Sequence, residues 1–178
     1  CQELFEVFGL DEPDVWLRTG GDLASMPALL AWFFGQVLRL IFRPGFVRKE
    51  LFPEPGICCV HGDTVSTLLG TLLARRAGLK VAHVEAGLRS WSLWHPFPEE
   101  AIRILCMRRC HYLFAPNNLA FKNLKQMKVK GEVHAMGANT VADTIRLLGE
   151  HQPAESIPNG PFVLVSCHRF ELIFFKNR

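Results

Sequence analysis

The sequence lacks most of the short signatures that announce a nucleotide-dependent enzyme. There is no glycine-rich dinucleotide fingerprint and no Walker loop. There is no serine nucleophile elbow. No run of lysine and arginine is long enough to grip a phosphate backbone, and the net charge is only +3, which argues against a nucleic-acid partner. Cys106 and Cys110 stand four apart on a predicted helix, but no second pair completes a zinc site; packing is the expected role and no metal is expected. No apolar run is both long and uninterrupted. The most hydrophobic stretch, residues 24–43, is broken by Gln36 and Arg39 and predicts a buried or interface helix without stable membrane insertion. There is no initiator Met and no signal-peptide pattern, and the chain stops at FFKNR after a strand-like run. An internal piece of a longer protein is therefore expected.

What is present is ample material for a core. An apolar fraction of 49% over 178 residues argues against disorder. The six cysteines do not suit a short secreted disulfide scaffold. Cys58, Cys59 and Cys167 lie inside apolar strand-like runs, where free thiols are expected to be buried as small hydrophobes.

From residue 57 the pattern alternates. Strands are predicted at 57–61, 80–85, 111–115, 132–136 and 162–168. Helices are predicted at 65–77, closed by Gly78, and at 98–110, 117–127 and 139–149, with Pro98 near a first helical position. Strands alternating with helices predict an α/β fold with a parallel sheet built from βαβ units. The Pro-rich stretch 153–161 joins elements or divides domains equally well.

Two of these strands end in acids. Asp63 follows ICCVH, and Glu85 follows KVAHV. The ligand crevice of an open parallel sheet lies at the carboxyl ends of its strands, so neighbouring strands would set both carboxylates on one rim. Two carboxylates in different environments can divide the work of acid and base. Asp63 suits a helix N-cap as well as a ligand-facing role. Glu85, a poor cap, needs a partner or a task; Arg89 or a histidine would serve as partner. Glu99 and Arg103, at i and i+4, form either part of the site or a helical ion pair. Glu100 is expected to point away from them into solvent. His168 and Arg169, closing the last strand, suit a diphosphate or a surface pair, and Arg89 suits an anionic substrate. His61, His95, His111 and His134 have no ligand spacing.

The ordered set VHGDT (60–64), HVEAGLR (83–89), PFPEEAIR (96–103), LFAP (113–116), NTVAD (139–143) and HRFE (168–171) resembles the UDP-N-acetylglucosamine 2-epimerases, in particular the non-hydrolysing type. The resemblance covers roughly residues 57–171. It implies a Rossmann-like sheet within a two-domain, glycosyltransferase-B-like architecture with the active site in the interdomain cleft. Residues 1–136 would then be part of the first domain, lacking its first strand, and residues 137–178 the start of the second, nucleotide-binding one. It implies epimerisation at C2 of UDP-N-acetylglucosamine to UDP-N-acetylmannosamine, by elimination of UDP and re-addition through a glycal, with no cofactor. Asp63 and Glu85 would transfer protons, Glu99 would support them or exchange roles with one, and Arg103 would steady a carboxylate or the diphosphate. His168 would help UDP depart, and Arg89 and Arg169 would bind substrate. It further implies a cytoplasmic enzyme of polysaccharide biosynthesis, homodimeric at full length, with this fragment inactive alone. The hydrolysing relative, which releases UDP and N-acetylmannosamine, carries the same acids, and an inactive sugar-nucleotide-binding fragment is the non-enzymatic alternative. SWSLWHPF at 90–97, Ile102 and Leu172 depart from the family's common pattern and bear on substrate preference.

Overall fold

The computed structural model describes residues 9–18, 25–94, 97–148 and 160–163. Two compact units are distinguished, Cys1–Asp143 and Thr144–Arg178. In the first unit, helix α1 (Met26–Phe42) is followed by a short helical stretch through Leu51. Strands and helices then alternate: β1 (Ile57–His61), α2 (Val65–Ala77), β2 (Lys80–Val84), α3 (Glu99–Met107), β3 (Tyr112–Ala115), α4 (Asn118–Gln126) and β4 (Glu132–Ala135). Helix α5 (Thr140–Leu148) begins in the first unit and runs into the second. The sheet has the order β1-β2-β3-β4 and every pairing is parallel.

The predicted α/β alternation is therefore present, with boundaries within a few residues of expectation. Helix α3 stops at Met107, not 110: beyond it the Arg109 N–H turns onto the Cys106 carbonyl, three residues back, which tightens the last turn. The strand expected at 162–168 lies almost wholly outside the described residues.

One face of the sheet carries the core. Val60, Val81, Leu113 and Ala115 point there and pack with Ala74, Met107, Ala120 and Leu124. Burial pushes the thiols of Cys106 and Cys110 up to about 11 and about 12. Protonated at neutral pH, they act as packing groups. Among the described residues, no group of three or more His, Cys, Asp or Glu is arranged to hold a metal ion. Among the described residues, few cover the opposite face. Ile57, Cys59, His61, Lys80 and Glu132 are exposed there, although parallel sheets normally have both faces covered. Cys59 is thus a correction to the expected burial: alternation along β1 turns it to that open face while Cys58 stays half-buried.

Helix α1 starts after Ser25, whose hydroxyl accepts from the Ala28 N–H. Its inner stripe, including Trp32, Phe33 and Leu40, packs on Val47, Leu69, Leu73 and Ala77. Its outer stripe is also apolar: Leu30, Phe34, Leu38, Ile41 and Phe42 are exposed. No described helix is long and apolar enough to cross a membrane.

Candidate active site

The site forms where β1 and β2 end. His61 and Val84 are register partners at the last rung of the pair. Beyond them the chain turns through Gly62 at φ 70 and through Glu85 at φ 62. Left-handed backbone is costly for a glutamate, and such strain concentrates at functional sites. Asp63 is not the cap of α2. Thr64 takes that place, accepting from the Thr67 N–H at 3.3 Å, which leaves the Asp63 side chain free for other partners.

Those partners come from α3. Arg103 donates to Asp63 Oδ2 from Nε at 2.8 Å and also from Nη2. Its Nη1 reaches Glu100 Oε2 at 3.3 Å. Glu100, expected in solvent, is completely buried. Arg89 Nε donates to its Oε1, and the Ser90 N–H donates to its Oε2 at 3.1 Å. Burial raises the Glu100 carboxyl, but the hydrogen bonds from Arg89, Ser90 and Arg103, with the charge of Arg89, outweigh it and hold the group below its ordinary value. Glu100 stands three residues before Arg103 and seven before buried Met107, on one helical face; that spacing was the available signal for its burial. The guanidinium of Arg89 also lies 4.3 Å from the centre of the Trp91 ring, a cation–π contact.

Glu85 is held differently. Thr140, the first residue of α5, donates to Oε1 from its hydroxyl at 2.6 Å and from its N–H at 3.2 Å. The His61 ring lies 3.1 Å from that hydroxyl and 3.7 Å from Glu85 Oε2. Among the described residues, each acid on the rim thus has one oxygen engaged in hydrogen bonds and one without a hydrogen bond.

His83 is buried beneath them, with Nε2 2.8 Å from the Gly62 carbonyl. Burial lowers its pKa and outweighs that hydrogen bond, so the ring is neutral and Nε2 carries the proton that it donates. It pins the turn leading to Asp63. Together Gly62, Asp63, His83, Glu85, Gly87, Leu88, Arg103 and Met107 line a pocket of ≈ 60 Å³, far below the roughly 300–1,000 Å³ of a small-molecule site.

Of the residues singled out in the sequence, the structure brings Asp63, Glu85 and Arg103 to this pocket. Glu99 opens α3 but does not line it, and its Oε2 is buried with no hydrogen-bond partner among the described residues. Arg103 pairs with Asp63 and Glu100 instead of Glu99. Arg89 is engaged by Glu100. His168 and Arg169 lie outside the described residues. Thr140 and Glu100 were not picked out as site residues from the sequence.

The turn after Glu85 admits only glycine at residue 87. Its φ is 94, and an added Cβ would sit 2.3 Å from the Ala120 carbonyl oxygen. Gly87→Ala is expected to cost about 2–5 kcal/mol from backbone strain and overpacking. Denaturant unfolding checks this; a loss under about 1 kcal/mol would show that α4 moves aside freely.

A family model described as UDP-N-acetylglucosamine 2-epimerase matches residues 43–176. The UDP-N-acetylglucosamine 2-epimerase of Bacillus subtilis (strain 168) is 35% identical over 143 residues, covering 76% of this chain and 38% of that protein. The one from Methanococcus maripaludis is 33% identical over 177 residues, covering 94% of this chain and 44% of that protein. The chain therefore spans less than half the length of these curated relatives. Among solved structures, Methanocaldococcus jannaschii UDP-GlcNAc 2-epimerase in complex with UDP-GlcNAc and UDP is similar at a TM-score of 0.61 and 31% identity, over 80% of this chain and 36% of that one.

Proposed function

This chain belongs to the UDP-N-acetylglucosamine 2-epimerase family, and on that premise we propose that the full-length protein epimerises UDP-N-acetylglucosamine at C2, giving UDP-N-acetylmannosamine. The observation that carries the proposal is the pair of half-engaged carboxylates on one rim. Arg103 occupies Asp63 Oδ2 and Thr140 occupies Glu85 Oε1, and among the described residues Oδ1 and Oε2 accept no hydrogen bond. One open oxygen takes the C2 proton, the C–H electron pair becomes the C1=C2 double bond of a glycal, and the C1–O bond breaks to release UDP. The other acid, protonated from solvent before the step, gives its proton to the opposite face of C2 as UDP adds back to C1, and exchange with solvent resets both acids. The leaving diphosphate needs positive charge where its own charge develops. We assign that role to His168 and Arg169 in a second, nucleotide-binding domain that starts near residue 137, with Arg89 contributing from the first. The likeness to an enzyme solved with UDP-GlcNAc and UDP supports this substrate class. No step requires a cofactor.

The test is product analysis with the full-length protein. UDP-N-acetylmannosamine with the nucleotide retained supports the proposal. Free N-acetylmannosamine with UDP would move the assignment to the hydrolysing type, and no turnover would leave a binding protein.

We further propose a homodimer in the cytoplasm. A helix apolar on all sides is normally covered on all sides, and the outer stripe of α1 suits a second copy. The exposed free thiol of Cys59 suits a reducing compartment. Phe34→Glu with Leu38→Glu is expected to turn a full-length dimer into a monomer in light scattering. A dimer that survives both changes would place the interface elsewhere.

A further inference from the structure

The reading of Glu85 as a proton-transfer residue leaves open why its carboxylate presents one oxygen and not the other. The carboxylate sits on a left-handed residue at a strand end. Its partners come from 55 residues further along the chain, at the start of α5.

We propose that Thr140 is the positioning residue for Glu85: its hydroxyl and N–H jointly engage Oε1, His61 fixes that hydroxyl, and Oε2 is left as the oxygen that exchanges the proton with C2. This rests on the proposed role of Glu85 and extends it to a second residue and to a single oxygen atom. A hydroxyl has one proton. With that proton given to Glu85 Oε1 at 2.6 Å, the oxygen can only accept from His61 Nε2 at 3.1 Å. The three groups therefore form a directed chain, His61 to Thr140 to Glu85, whose last bond goes to a carboxylate. The N–H of Thr140 adds a second donor to the same oxygen, and it comes from the first turn of a helix, where the dipole favours negative charge. Two donors converging on one oxygen define both its position and the plane of the group. Among the described residues, Oε2 meets only the His61 ring, at 3.7 Å, beyond hydrogen-bond range.

Helix α5 has a side-chain cap of its own. Asn139 supplies a side-chain bond at its start, accepting from the Val141 N–H at 2.7 Å. Replacing Thr140 by valine keeps the shape and the N–H and removes only the hydroxyl.

The test uses full-length protein and UDP-N-acetylglucosamine. Thr140→Val is expected to lower kcat about 10- to 100-fold, the range for losing a hydrogen bond to a charged group, with KM changed less than about twofold. Thr140→Ser should stay within about threefold of wild type, because it keeps the hydroxyl. Thr140→Ala serves if the valine variant does not fold, with the same expected loss. A wild-type kcat in the valine or alanine variant overturns the proposal, and so does a serine variant as slow as valine, which would make the methyl group the active part. A rise in KM alone also overturns it, assigning Thr140 to substrate binding. Glu85→Gln separates the two levels. If it is inactive while Thr140→Val is unimpaired, only the positioning role fails. If Glu85→Gln keeps turnover, the underlying role of Glu85 fails as well.

Discussion

Replacing Glu100 with alanine is expected to destabilise the protein by about 3–5 kcal/mol, the cost of breaking a buried ion pair by removing one partner. The reason is geometric. Glu100 is fully buried and accepts from Arg89, Arg103 and the Ser90 N–H. Without it, two guanidinium groups, 9% and 16% exposed, lose a counter-charge in a place where water cannot replace it. Thermal unfolding of the full-length protein should show a midpoint lower by about 10 °C. The same carboxylate adds an acid-sensitive term. Its folded-state pKa is depressed, so its stabilisation is fully present above the ordinary glutamate range, about 4.3, and is lost as pH falls through the lower folded value. Glu100→Gln removes that ionisation, and its stability curve should be flatter below about pH 4.3 than that of wild type. An alanine variant within about 1 kcal/mol of wild type, a typical surface effect, would show that Arg89 and Arg103 find other partners.

The second large effect concerns chemistry. Asp63→Asn and Glu85→Gln are each expected to lower turnover by about 100- to 10,000-fold, the usual contribution of a positioned acid or base. Both keep the shape of the side chain and remove its capacity to take up a proton. UDP affinity should change less than about threefold, since the proposed diphosphate contacts come from other residues. Equilibrium binding of UDP together with single-turnover rates checks both halves. Asp63→Asn also weakens the contact with Arg103, so its midpoint should fall slightly, whereas Glu85→Gln keeps an oxygen for Thr140. Wild-type turnover in both variants would remove these acids from the mechanism.

The fold was largely legible because its signals are local. Alternating apolar runs, Gly78 at a left-handed helix end with φ 85 and Thr64 beside Asp63 all act within a few residues. The rim placement of Asp63 and Glu85 was legible because strand ends share an edge in any parallel sheet. The partners were not. Sequence spacing suggested Glu99 with Arg103, but Arg103 reaches across to Asp63, 40 residues earlier, and takes Glu100 as its second partner. Nothing local marks Thr140 as the partner of a residue 55 positions away. Cys59 was misjudged because the alternation along β1 specifies two faces but not whether both are covered.

The most direct test of the central claim is proton NMR of the full-length protein with UDP-N-acetylglucosamine in deuterated water. The account predicts deuterium at C2 and the appearance of UDP-N-acetylmannosamine, with both lost in Glu85→Gln. Product formed with the original proton retained at C2, or no exchange and no turnover in the wild type, would contradict it.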